Sequence, residues 1–207
     1  VNLEIARRRS RAWEAGVLLA QQTYRQQFGA ETDPAPDTFV ILSGDEPESV
    51  DSPGELRGAV AGLTFASEAR LFCEHYFDHP IEEMLAKLTD QEYSRSEIVE
   101  IGPLASTSYG SGGQLIAMLA ELCWCNGAKI AVFTVTRQVH LMLRRMGYRT
   151  TELCRPSEEQ LPEAQRGIWG TYYDLQPITV FVDVTKHLGE ALSLLTIHSP
   201  LVGVAKG

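Results

Sequence analysis

Two hydrophobic rhythms alternate along the chain. Over residues 4–28, Ile5, Trp13, Val17, Leu18, Tyr24 and Phe28 recur at near-helical spacing and the pattern stops at Gly29, which predicts an amphipathic helix. "TFVILS" (38–43) and "LRGAVAGLTFA" (56–66) are continuous apolar runs of strand length. Between them, segment 44–54 is acidic and rich in Pro, Gly and Ser, so the two runs predict an antiparallel pair joined by a hairpin loop. A loop containing "LFCEHYFDHP" then leads into a short helix from about Pro80. A strand over 96–105, a glycine-rich turn, a helix over 113–126 closed by Asn126-Gly127, a strand "KIAVFTV" and a helix over 137–146 closed by Gly147 follow. Beyond these, "ITVFVDV" reads as a strand, and 187–198 is amphipathic enough for a final helix, packing on the sheet or on a second copy in a homodimer. The expectation is one α/β (α+β) domain over 1–207, with a C-terminal strand and helix at 177–198.

Composition narrows the function classes. With 207 residues, 44% of them hydrophobic, the chain can bury one sizeable core. A net charge of −9 argues against nucleic acid as a partner, because phosphate neutralisation needs clustered Lys and Arg. The basic cluster Arg7, Arg8, Arg9 and Arg11 reads as a solvated helix face. No run reaches the roughly 18 apolar residues of a membrane span, and the N-terminus lacks a signal-peptide core, so the expectation is a cytoplasmic protein without stable membrane insertion. The four cysteines lack C-x-x-C pairing or histidines at zinc spacing, so no metal is expected and the thiols read as reduced core residues. Cys123 and Cys125, two apart on a helix, point to different faces.

The unit of strand, turn, helix and strand around 96–135 is a crossover whose two strands should lie parallel and adjacent. "YGSGGQ" (Tyr109, Gly110, Ser111, Gly112, Gly113, Gln114) stands where a helix N-terminus exposes unpaired N–H groups, a setting suited to a phosphate. The same glycines also suit a plain tight connection. Neither a P-loop nor a dinucleotide fingerprint is present. Gly102-Pro103 interrupts the preceding strand, and proline is tolerated inside a sheet chiefly at bulges. A bulge there splays the strand from its parallel neighbour. Backbone groups at Leu104, Ala105 and Ser106 are then free to hold an extended, amide-bearing ligand such as pantetheine, with its pyrophosphate at the glycines.

This arrangement resembles the GNAT acyltransferase fold, a mixed sheet with a splayed parallel pair and helices on both faces, in which a Q/R-x-x-G-x-G/A loop cradles the pyrophosphate of coenzyme A. Gly110, Ser111 and Gly112 match that loop, with Leu115 and Ile116 following on the helix, whereas Thr107 occupies the Gln/Arg position. "LFCEHYFDHPIEEML", "EIVEIGPLAS", "AVFTVT", "RRMGY" and "WGTYYDLQP" resemble the ordered motifs of the thermostable hemolysin family over roughly 56–180, with Pro103 where the family usually has Asn. The resemblance implies N-acyl transfer from a pantetheine thioester, carried by coenzyme A or an acyl carrier protein, to the amine of a small molecule, as in natural-product biosynthesis. The family name, which rests on hemolysis, gives the alternative of a non-catalytic or membrane-active protein.

Acyl transfer needs a base for the amine and polarisation of the carbonyl. Glu100 lies on the bulged strand where several GNAT enzymes it resembles carry a glutamate base. It alternates onto the face of Ile98 and Gly102, where burial would raise its pKa toward a base's working range. Glu74 and His75 lie where acceptors enter GNAT enzymes, and His75 suits a base or proton relay, although a loop histidine is often structural. The tyrosine acid of many GNAT enzymes is replaced here by Leu143, leaving Tyr109, Tyr148 or solvent for that role. Trp169, Tyr172 and Tyr173 suit an acceptor pocket or a core at the sheet edge. His140 reads as a structural residue of its helix.

Overall fold

The computed structural model describes residues 2–44, 56–107 and 109–189. Seven strands form one mixed sheet: β1 (Asn2–Arg7), β2 (Thr38–Ser43), β3 (Gly58–Phe65), β4 (Ile98–Ser106), β5 (Ile130–Val135), β6 (Thr150–Cys154) and β7 (Ile178–Asp183). Their spatial order is β1-β2-β3-β4-β5-β7-β6. Among the described residues only β4 and β5 pair in parallel, and every other neighbour is antiparallel. The α-helices that pack on the sheet include α1 (Arg11–Phe28), α2 (Ile81–Thr89), α3 (Tyr109–Cys125) and α4 (Arg137–Arg145).

Strand alternation sends successive side chains to two cores. Val40, Ala61, Val99, Ile101 and Phe133 pack with Leu115 and Leu119 of α3 and Leu143 of α4 on one face. On the other face, Phe39, Ile41 and Val60 meet Leu19 and Ala20 of α1, while Ile98, Ile130 and Val132 meet Ile81 and Leu85 of α2. The sheet with helices on both faces is as the sequence implies.

The first predicted helix is divided. Residues 2–7 form an edge strand on β2, Arg9 takes a left-handed φ of 69°, and Ser10 caps α1, its Oγ accepting from Trp13 N at 3.1 Å. Only Ala6 of β1 is buried, so an edge strand leaves little hydrophobic signature for sequence reading to find. The second edge strand, β6, carries exposed Thr151 and Glu152 and was likewise not anticipated. His140 joins α4 to it through a 2.8 Å contact between Nε2 and Thr150 Oγ1.

The glycine-rich stretch is helix rather than a turn. α3 starts at Tyr109, so Gly110, Gly112 and Gly113 sit within its opening turns and the predicted start at 113 moves back. Residues 45–54 of the predicted acidic loop and 190–198 of the predicted final helix lie outside the described residues; residues 184–189 are helical. All four cysteines are free; Cys73 and Cys123 are buried, but Cys125 is exposed and Cys154 half-buried, so the core assignment holds for two of them.

The predicted bulge is present and opens the sheet. β4 pairs with β5 only from Ile98 to Ile101, yet continues along β3 to Ser106. Ile101 stands opposite Leu63 and Leu104 opposite Ala61, so Gly102 and Pro103 together face the single residue Gly62. The extra residue reverses the alternation: Ile101 packs toward α3, whereas Ala105 packs toward α1. At the far end Thr107 donates its backbone N–H to Gly58 O (2.8 Å), and its Oγ1 accepts from Gly58 N (3.0 Å). The side chain at the family's Gln/Arg position therefore closes the strand pair.

Candidate active site

The split between β4 and β5 has a cavity on each side. One, of about 610 Å³, is lined by Arg70, Phe72, His75, Glu100, Trp169 and Tyr172, among others. The second, of about 310 Å³, is lined by Leu104, Ala105, Ser106, Gly112, Leu115 and Met142, among others. Tyr24, Ile101, Gly102, Thr134 and Tyr172 line both, so the cavities meet where β4 leaves β5. This junction is where a thioester held along β4 and an amine held beside Glu100 can come together.

Glu100 forms the floor of the larger cavity. It is 7% exposed; its Oε2 accepts from Phe72 N (2.6 Å) and its Oε1 from Cys73 N (3.0 Å). Burial pushes its carboxyl up to about 7, against the lowering effect of those two amides and the Cys73 thiol. A carboxylate with about four lone-pair sites retains accepting capacity after these bonds. The Cys73 thiol itself is driven up by burial and by the charges of Glu100 and Glu74, which disfavours a thiolate nucleophile.

His75 lines the same cavity, edge-on to Phe72 at 5.8 Å. Burial and the Arg70 charge hold its pKa below the ordinary histidine value, favouring the neutral, proton-accepting ring.

Glu74 has a different setting. The Phe72–His75 turn is a 3-10 helix. Glu74 Oε2 accepts from Leu71 N (2.8 Å) and Oε1 from Ile81 N (2.9 Å), fixing the turn to the start of α2. Arg95 adds contacts of 2.8 and 3.1 Å and bridges to Glu82 at 2.7 Å. Burial pushes the Glu74 carboxyl up, but the Arg95 guanidinium and the two amides outweigh it and hold the carboxyl below its ordinary value. Its accepting atoms are thus occupied by the scaffold that presents Phe72 and Cys73 to Glu100.

Glu74→Ala is expected to cost about 3 kcal/mol or more, because it strands a half-buried guanidinium and two amides. Denaturant titration checks the magnitude. The lowered pKa also fixes a sign: the stabilisation is complete above the ordinary carboxylate range and is lost as pH falls through the lower folded value. The difference between wild type and variant should therefore shrink on acidification.

Of the predicted aromatics, Trp169 and Tyr172 line the cavity, and Tyr172 donates its hydroxyl to Thr134 O (3.0 Å). Tyr173 turns behind them, its hydroxyl 2.7 Å from that of Tyr76. The loop is clamped to the end of α1: Thr171 N donates to Phe28 O (2.8 Å), and a Cβ on Gly170 would lie 1.9 Å from that oxygen.

The donor-side residues divide similarly. Leu104, Ala105, Ser106 and Gly112 line the smaller cavity, and a Cβ on Gly112 would lie 3.0 Å from Ser106 Oγ. A Cβ on Gly113 would face Met146 Cε at 3.4 Å, Gly110 has open space around it, and Gln114 is exposed. Tyr109 and Ser111 lie in the first turn of α3. Of the two tyrosines considered as acids, Tyr148 is buried, its hydroxyl donating to Ile116 O at 2.6 Å within the core.

Sequence reading passed over Tyr24, Arg70 and Gln165. Tyr24 looks like one more apolar position of α1, yet it lines both cavities, stacked on Tyr172 at 6.1 Å. Burial pushes its hydroxyl up to about 12, with the Leu104 backbone opposing, so the phenol is neutral. No local sequence signal marks it, because its role depends on α1 crossing the end of the split.

The fold recurs in solved structures. FeeM, described as an N-acyl amino acid synthase from uncultured soil microbes, superposes with a TM-score of 0.55 at 13% identity, covering 91% of this chain and 98% of its own. BjaI, described as a coenzyme A-dependent acyl-homoserine lactone synthase, gives 0.53 at 14% identity over 95% and 90%. Apo TofI gives 0.52 at 18% identity over 89% and 91%. At these identities the likeness establishes the GNAT-like fold. No curated protein sequence matches the chain significantly. The family described as thermostable hemolysin matches residues 7–188, and the chain belongs to that family.

Proposed function

We propose that this protein is an N-acyltransferase that moves an acyl group from a pantetheine thioester, on coenzyme A or a carrier protein, to the amine of a small molecule. The observation that carries this reading is the buried Glu100, with a carboxyl near neutrality, at the meeting point of the two cavities beside the split strands. A carboxylate held there at the expense of desolvation suits a base. The described activities of FeeM and BjaI, the latter solved with SAM and isopentyl-CoA, support the same reading.

In this mechanism the pantetheine amides pair with the free edge of β4 at Leu104–Ser106, and the phosphate lies at the first turn of α3. The amine nitrogen attacks the thioester carbonyl carbon, the C–S bond breaks, and Glu100 takes the proton that nitrogen loses. His75 can relay that proton to solvent. The sulfur departs as a thiolate hydrogen-bonded by Tyr24. A phenol near 12 lies too far above an ordinary thiol near 8.5 to transfer its proton outright, so the thiolate's final proton comes from solvent.

Because the Thr107 side chain is committed to Gly58, the nucleotide end of coenzyme A has one fewer anchor, which favours carrier-bound donors. Calorimetric titration with coenzyme A, an acyl-coenzyme A, acyl-pantetheine and an acyl-loaded carrier protein tests the donor side. We expect binding by the acyl thioesters, and no heat from any of them would sink the reading. Gly112→Leu should weaken that binding at least tenfold, since the side chain projects toward Ser106 and into the donor cavity, while the melting temperature stays near wild type.

A further inference from the structure

Resting on the acyltransfer reading, the geometry points to an acceptor that is an α-amino acid: its carboxylate is held by Arg70 at the cavity wall, its amine faces Glu100, and its side chain carries an uncharged hydrogen-bonding group.

The first observation is the placement of Arg70. It lines the same cavity as Glu100 and His75, next to the 3-10 turn. Its Nη2 donates to the Glu74 carbonyl at 2.8 Å, which fixes the guanidinium while leaving further N–H donors for a ligand. A planar guanidinium matches a carboxylate bidentately. Arg8 also lines this cavity, but Asp33 and Asp37 line it too, and Arg8 N donates to the Asp37 carbonyl at 3.1 Å. Arg8 thus shares its stretch of wall with two acidic residues, whereas Arg70 stands two residues before Phe72, whose N–H binds Glu100. In a chain of net charge −9, a guanidinium fixed in the same cavity as the base is a specific feature, and cation plus proton acceptor is the complement of an amino acid.

The second observation is independent. Trp169 Nε1 and Gln165 Oε1 are buried without a hydrogen-bond partner, and both residues line this cavity. Buried polar groups are normally paired, so an orphan donor and an orphan acceptor in one cavity mark where a ligand supplies the partners. A carboxamide or hydroxyl group offers both an acceptor for the indole N–H and a donor for the amide oxygen. The aromatic walls of Phe72 and Tyr172 would flank the apolar part of that side chain.

The test compares acceptors that differ by one carboxylate. Wild-type protein is given an acyl-coenzyme A, and thiol release is followed with tyrosine against tyramine, glutamine against 4-aminobutanamide, and leucine against isopentylamine. We expect kcat/KM for tyrosine or glutamine to exceed that of the matching amine at least tenfold, and to exceed that of leucine. In Arg70→Gln the preference for the carboxylate should fall toward unity, and Arg70→Lys, which keeps the charge but loses the fork, should restore part of it. Equal use of amine and amino acid by the wild type would overturn the acceptor assignment while leaving acyl transfer standing. Absence of donor binding in the calorimetry above would overturn both.

Discussion

Glu100→Gln should lower kcat by about 10²- to 10⁴-fold, the range over which a positioned general base contributes. Glutamine keeps the shape but cannot accept a proton from the amine, and its NH₂ faces one of the two amides, Phe72 N or Cys73 N, that the carboxylate now satisfies. With the carboxyl pushed up to about 7, the ionised base accumulates through neutrality. The wild-type kcat/KM should climb about tenfold per pH unit below that point and level off above it. The variant should lose this limb, and an unchanged limb would move the base to His75. Stability runs the other way. A folded-state pKa above the ordinary one gives stabilisation that is complete below the ordinary carboxylate range and lost as pH rises toward about 7. Activity and stability of the wild type should therefore cross in opposite directions between those limits, and paired rate and denaturation measurements on both proteins would reveal it.

Gly62→Ala should cost about 3 kcal/mol or more, at the upper end of overpacking effects. A Cβ at residue 62 would lie 2.3 Å from Gly102 O and 2.9 Å from Pro103 Cδ. Neither neighbour is the loose end of a side chain, so relief requires the bulge itself to shift. For a chain of this size the melting temperature should drop by roughly 6–12 °C. Because the bulge opens the split proposed to hold the donor, thioester binding should weaken as well. A loss below about 1 kcal/mol with donor binding intact would show that β4 can bulge without the gap at residue 62.

The two variants separate what the cleft requires. In the proposed mechanism Glu100 supplies the base, whereas Gly62 provides the space in which the sheet divides. The Arg95–Glu74 pair occupies a third position. It touches neither cavity floor directly but fixes the turn that aims two amides at the base.

Much of this was readable from local chemistry. Continuous apolar runs marked β2, β3, β5 and β7, because strands covered by helices on both faces must be apolar throughout. Gly102-Pro103 announced the bulge, since a residue without an N–H cannot serve a regular ladder. Strand alternation then placed Glu100 on the face away from Val99 and Ile101, and so in the floor of a cavity. For Trp169, Tyr172 and Tyr173 the sequence left an acceptor pocket and a core at the sheet edge equally open, and only the fold placed the first two along the cavity.

Tertiary structure decided the rest. The edge strands β1 and β6 bury too little to leave a pattern, so only pairing with β2 and β7 defines them. The opening glycines joined α3, because helix continuation there is set by packing rather than by glycine's weak propensity. The carboxyls of Glu74 and Glu100 are equally acidic residues in the sequence. Arg95, 21 positions further along, reaches the first and occupies it, while the second accepts only from neutral donors, and burial outweighs their lowering effect to set its pKa near neutrality. Sequence by itself determined the inner strands, the bulge and the candidate base. Which carboxylate Arg95 occupies, and that Tyr24, Arg70 and Gln165 line the cavity of the other, came only with the fold, because charge pairing and burial depend on distances in space that sequence separation does not carry.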